Sequence, residues 1–91
     1  MGKVDAFIIA GLDCFFYPND HDPPHIHVRK RGEWEIKVRF LECTEDGLAY
    51  SLKWPKKGSA GPKSKTCKKI LEQILHHKAD LLSEWEVKVD Y

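Results

Sequence analysis

The feature that most restricts this chain is the run from Glu33 to Leu41. Trp34, Ile36, Val38 and Phe40 alternate there with Glu33, Glu35, Lys37 and Arg39. A period of two is what a β-strand needs when one face is buried and the other meets water. Such a strand cannot stand alone: its backbone needs paired neighbours and its apolar face needs a cover.

Candidate neighbours lie on both sides. Val4–Ala10 and Cys14–Tyr17 are short branched and aromatic runs joined through a turn at Gly11–Asp13, the pattern of two paired strands. Ile26 and Val28 alternate with His25, His27 and Arg29 before Lys30–Gly32 turns the chain into Glu33–Leu41. Beyond a turn at Glu42–Gly47, Leu48, Tyr50, Leu52 and Trp54 repeat the alternation and Pro55 ends it. That spacing would put all three tryptophans in buried register. Connections this short favour antiparallel pairing.

The cover is the one strongly helical stretch, from about Lys65 to Glu84. Ile70, Leu71, Ile74, Leu75, Leu81, Leu82 and Trp85 recur there at three- and four-residue spacing, a stripe wide enough to lie on a sheet. Ser64 or Thr66 is the expected N-cap. The expected fold is therefore α+β: a mostly antiparallel sheet of four to five strands with one long C-terminal helix packed on one face. Its 91 residues read as a single domain. Strands occupy about 4–54, a lysine-rich loop 55–64, the helix about 65–84 and a tail 85–91. The alternation of Val87, Val89 and Tyr91 in that tail suits an added edge strand.

Composition removes several classes of function. Fifteen basic and fourteen acidic residues leave a formal net charge of +1, so overall charge nominates no partner. Cys14, Cys43 and Cys67 are odd in number and form no C-x-x-C pair, which argues against a disulfide framework and against a cysteine zinc site. A reducing, cytoplasmic setting follows. The apolar run Ala6–Leu12 is too short to cross a bilayer and lacks the basic start of a secretory signal, so no membrane partner is expected.

Chemistry concentrates in HDPPHIHV, residues 21–28, which holds three of the five histidines. Pro23 and Pro24 hold the approach to the strand extended, with the cis or trans state of either bond left open by sequence. His25 and His27 then stand on one side of the strand, away from the helix if Ile26 and Val28 face it. Their Cα atoms would be about 6.5–7 Å apart, close enough to share one ion at roughly 2.0–2.1 Å. His21 is the third candidate ligand, and Asp20 or Asp22 can ligate or orient an imidazole. The candidate metal set is His21, His25 and His27, for zinc or another divalent ion. The candidate catalytic set is His25, His27 and Arg29, for acid–base or phosphate chemistry. The plainer alternative is a polar strand entry with no ligand.

Gly11-Leu12, Cys14-Phe15-Phe16-Tyr17, Asn19-Asp20-His21, the PPHIHV run, Leu52-Lys53-Trp54-Pro55 and Leu81-Leu82-Ser83-Glu84-Trp85 together resemble the bacterial domain of unknown function 4160 family. The resemblance implies no established chemistry. It implies a small prokaryotic protein, with some members regarded as toxin–antitoxin components. H-I-H-V also resembles the opening of the histidine-triad nucleotide hydrolase motif, but Arg29 stands where its third histidine would fall.

Lys53, Lys56, Lys57, Lys63, Lys65, Lys68 and Lys69 follow one another without an intervening acid. Lys53, Lys56, Lys57, Lys63 and Lys65 are the candidate binding residues, and with Trp54 they have the composition of a single-stranded RNA or DNA platform. Two classes of function result. One is an interaction protein that binds RNA or a partner protein in a toxin–antitoxin-like two-gene module. The other is a histidine-based or metal-dependent phosphodiester hydrolase. Cys14 and Cys67 read as core thiols, and Cys43 as a thiol in an acidic turn.

Overall fold

A computed structural model describes residues 2–55 and 61–89. The strands are β1 (Gly2–Lys3), β2 (Asp13–Phe16), β3 (Ile26–Lys30), β4 (Trp34–Val38) and β5 (Tyr50–Trp54), followed by helix α1 (Ser64–Lys88). All pairings are antiparallel and the order is β1-β2-β3-β4-β5, so each strand lies beside its neighbour in sequence. The α+β expectation holds, with five strands and one long C-terminal helix.

Register divides the sheet into two faces. Cys14, Val28, Ile36 and Leu52 are cross-strand partners; the first three, with Phe16, Ile26 and Val38, meet Ile70, Ile74, Leu81 and Trp85 of the helix in one apolar core, while Leu52 on the edge strand is 37% exposed. Phe15, His27, Lys37 and Ser51 form the matching row on the opposite face.

Four expectations need correction. Val4–Ala10 is not a strand. Only Gly2 and Lys3 pair with β2, because the Glu84 carboxylate accepts the N–H groups of Asp5 and Ala6 at 2.6 and 2.9 Å and draws the chain off the sheet toward the helix. Lys88 reinforces this latch, with Nζ 2.6 Å from the Lys3 carbonyl and from Asp5. The tail does not add an edge strand: the helix runs on to Lys88, because Trp85 and Val89 are buried against the core, while Asp90 and Tyr91 lie outside the described residues. The N-cap is Lys63, without a side-chain cap bond, and Ser64 already lies inside the helix.

The fourth correction concerns Trp54. Ile36 pairs with Leu52 but Glu35 pairs with Trp54, so Lys53 is an extra residue and β5 carries a bulge. The bulge turns Trp54 out of the apolar alternation onto the face of Glu35. Trp34 and Trp85 are buried, whereas Trp54 is 51% exposed.

Candidate metal centre

The open face of the sheet is less open than alternation implies. His25 and His27 are 3% and 2% exposed, so neither is solvated strand surface. The loop between β2 and β3 folds over them. Tyr17–Asp20 closes a turn, with Asp20 N–H donating to the Tyr17 carbonyl at 3.1 Å and Pro18 at the position where proline presets φ. The Asp20 carboxylate accepts the Tyr17 N–H in return at 3.0 Å. That exchange aims the carboxylate back at the strand. Asp20 Oδ1 lies 3.3 Å from His25 Nε2, and Oδ2 lies 3.1 Å from His27 Nε2.

Aromatic rings wall the pair. His27 stacks on Phe15 with centroids 5.5 Å apart and meets the edge of Tyr17 at 4.5 Å. The His25 ring lies 5.0 Å from His27 and 5.2 Å from Trp85 of the helix. His25 is thus in contact with the helix layer, contrary to the expectation that both imidazoles point away from it, because it precedes the first residue of β3. The Asp22–Pro23 bond beside it is cis.

Proton accounting constrains both rings. His25 Nδ1 is 2.8 Å from the Pro23 carbonyl. A carbonyl only accepts, so Nδ1 carries the hydrogen and neutral His25 turns an Nε2 lone pair toward Asp20. Burial is the main force on His27 and lowers its pKa from 6.5 to about 4, against the attraction of Asp20 and with help from the nearby Lys53 and His25. Neutral His27 has one N–H and two carboxylates around it: Asp20 at Nε2, and Glu35 Oε2 at 3.5 Å from Nδ1. Its Nδ1 is buried without a hydrogen-bond partner.

Glu35 is itself buried, at 8% exposure. Its Oε2 accepts from the Tyr17 hydroxyl at 3.3 Å and lies 3.5 Å from Lys53 Nζ. That ammonium also sits 4.2 Å over the Tyr17 ring. Sequence reasoning placed Glu35 on a wet face. Its role depends on register, which sets Glu35 within reach of His27, and no local pattern encodes that.

Asp20, His25 and His27 each offer one ligand atom, and these atoms lie within 4.8 Å of one another. At metal–ligand bonds of about 2.1 Å, neighbouring ligands of a tetrahedral or octahedral ion lie roughly 3.0–3.4 Å apart, which is the range of both carboxylate–imidazole distances. The carboxylate and the two imidazoles are thus gathered around one point, as a cation site requires. They border an open cleft of about 680 Å³, also lined by Tyr17, His21, Lys37 and Lys53.

Residues 11–86 match the family described as "Domain of unknown function (DUF4160)". The chain belongs to that family. No curated protein and no solved structure matches it.

In this DUF4160 chain the other sequence candidates are dispersed. His21 is exposed and lines the cleft, while Asp20 occupies the third corner of the ligand group. Arg29 is not at the cleft: its guanidinium lies 3.3 Å from Asp13 and over the Phe15 ring at 5.0 Å. Lys53 is at the cleft. Lys63 instead lines a second cavity beside Trp34, Lys65 is exposed on the helix, and Lys56 and Lys57 lie outside the described residues. Cys43 is fully buried, and burial is the main cause of its raised pKa. Among the described residues no helix is long and apolar enough to cross a membrane.

Proposed function

We propose that Asp20, His25 and His27 bind a divalent cation, with zinc the best match to two imidazoles and a carboxylate, and that the cleft is a metal-dependent hydrolase site for phosphodiesters. One observation carries this reading. His25, whose Nδ1–H is held by the Pro23 carbonyl, turns its neutral Nε2 lone pair toward the Asp20 carboxylate, and His27 Nε2 meets the same carboxylate while its Nδ1 is buried without a hydrogen-bond partner, 3.5 Å from Glu35. A cation at the shared point would replace the contact between the His25 lone pair and the carboxylate with bonds. It also leaves Nδ1 of His27 protonated toward Glu35, the arrangement in which a carboxylate orients a ligating histidine.

The chemistry such an ion supplies is activation of water near neutral pH and polarisation of a phosphoryl oxygen. The protein's own groups do the rest. Phe15, Tyr17 and Trp85 shield the histidines, Asp20 is held by the Tyr17 N–H, and Lys37 and Lys53 reach the same cleft with charges suited to an anionic substrate. An RNA-binding or partner-binding role in a toxin–antitoxin-like module would draw on the same lysines and on exposed Trp54. It becomes the leading reading if the cleft binds no metal.

The test is a zinc titration of untagged, chelator-treated protein, followed by calorimetry and by the histidine ring signals in NMR. One equivalent should bind at micromolar concentration or tighter, shifting His25 and His27 and leaving exposed His21 nearly still. Asp20→Ala should weaken binding at least a hundredfold, and hydrolysis of an activated phosphodiester should require the metal. Absence of stoichiometric binding to the wild-type protein would end the proposal.

A further inference from the structure

The charged residues lining the cleft are Asp20, Asp22, Lys37 and Lys53, two of each sign. Glu35, 3.5 Å from Lys53 behind this lining, adds a third negative charge, so with the imidazoles counted as neutral the site is negative by one charge without an ion and positive by one with a divalent ion. Its attraction for an anion is therefore conditional on the cation. Next to this cleft the β5 bulge exposes the one described tryptophan that the core does not bury. Trp54 stands opposite Glu35 in the register, on the face that carries His27, Lys37 and Ser51.

From the ligand group on β3 to Trp54 on β5 is a distance of two strand spacings and about two residues, roughly 12 Å. That is more than three times the ~3.4 Å rise per nucleotide of a stacked strand. A single nucleotide does not bridge it. Building on the metal centre proposed above, we infer that the substrate is a single-stranded nucleic acid, with one phosphodiester at the cation between Lys37 and Lys53 and a base about three nucleotides along the strand stacked on Trp54. Stacking of this kind tolerates any base, because every base has a π face. The site is then expected to discriminate strandedness more than sequence: a duplex hides the base faces that Trp54 would contact.

Two features distinguish this occupant from a general anion. Lys53 and Trp54 leave the same bulge, so a ring and a cation are displayed together, which is the combination single-strand platforms use. Lys53 also binds Glu35 and the Tyr17 ring, so its position is fixed from inside the protein and not left to a flexible stem.

The experiment titrates a six-nucleotide single strand with phosphorothioate linkages into the full chain at low salt, with zinc and with EDTA, and reads tryptophan fluorescence and anisotropy of a labelled strand. With zinc, the strand should bind and quench emission. With EDTA, affinity should fall at least tenfold. Trp54→Ala should weaken strand binding roughly five- to hundredfold while zinc affinity stays as in the wild type, and Trp54→Tyr should restore most of the loss. Lys37→Gln should lower the salt slope by about one. Zinc binding with no strand binding, or strand binding indifferent to Trp54→Ala, overturns the inference and leaves the metal centre standing. Equal strand affinity in zinc and EDTA overturns it too, by removing its link to the cation. Failure of zinc itself to bind is read separately in the calorimeter and overturns both.

Discussion

Both faces of the sheet bury side chains, and for different ends. On the helix side, Phe16, Ile26, Val28, Ile36 and Val38 are sealed against Ile70, Ile74, Leu81 and Trp85, and only packing and desolvation act there. On the other side, His27 and Glu35 are as dry as many core residues, yet they are polar and surrounded by one another, by Asp20 and by Lys53. Cys14 and His27 make the contrast concrete. Burial drives each toward its neutral form, raising the thiol to about 12 and lowering the imidazole to about 4. The thiol is thereby silenced. The imidazole keeps its Nε2 on Asp20 and is left with Nδ1 buried and without a hydrogen-bond partner, an arrangement that costs free energy. One face is built for stability, and the other, on the function proposed above, gives up some stability to hold a binding geometry.

Truncation should separate the faces most clearly. Phe16 is fully buried and edge-on to Trp85 at 6.3 Å, so Phe16→Ala should cost about 3–5 kcal/mol, measured by urea denaturation. A loss under 1 kcal/mol would mean the helix-side core is not the seat of stability. The next largest effect is chemical. A rise in the Cys14 pKa from 9.0 to about 12 cuts its thiolate fraction near pH 8 by roughly a thousandfold. Iodoacetamide should therefore label half-buried Cys67 long before Cys14, by peptide mass spectrometry, and equal rates would contradict the sealed face. The associated stability is complete below pH 9 and is lost as pH rises from there toward 12, since a raised folded pKa favours the protonated thiol.

Glu35 tests the other side of the comparison, with a smaller effect. Glu35→Gln keeps the shape but weakens the acceptor behind His27 Nδ1, and zinc affinity should fall roughly ten- to hundredfold with little change in the urea midpoint. A large loss of stability with unchanged zinc affinity would make Glu35 a packing residue. It would also remove the functional contrast between the faces at this position.

How far the sequence could be read follows from how local each signal is. The alternation from Trp34 to Phe40 and the spacing from Ile70 to Trp85 are periodic within one element, so β4 and α1 could be read directly. Val4–Ala10 could not, because what decides its path is a carboxylate at Glu84, at the far end of the chain. Trp54 reads as buried in the sequence because a one-residue bulge is invisible to a period of two. At the candidate site, His25 and His27 were legible as a pair. Asp20 was visible only as an alternative to His21, and what promotes it is the turn through Pro18 that brings its carboxylate back over the strand. Glu35 was assigned to solvent because alternation tells which side a residue faces and not what lies on that side.

The turn at Tyr17–Asp20 has one more consequence. All three proposed ligands fall between residues 20 and 27, in the connection from β2 to β3 and the first two residues of β3. The entropy of gathering them is that of closing a short loop, and it grows only slowly even if the loop is lengthened. The coordination geometry is thus a local property of one hairpin, while the dryness around it is supplied by the rest of the chain. Insertions in distant loops should leave the donor set assembled, and changes in this family's periphery can retune access and affinity without having to rebuild the centre.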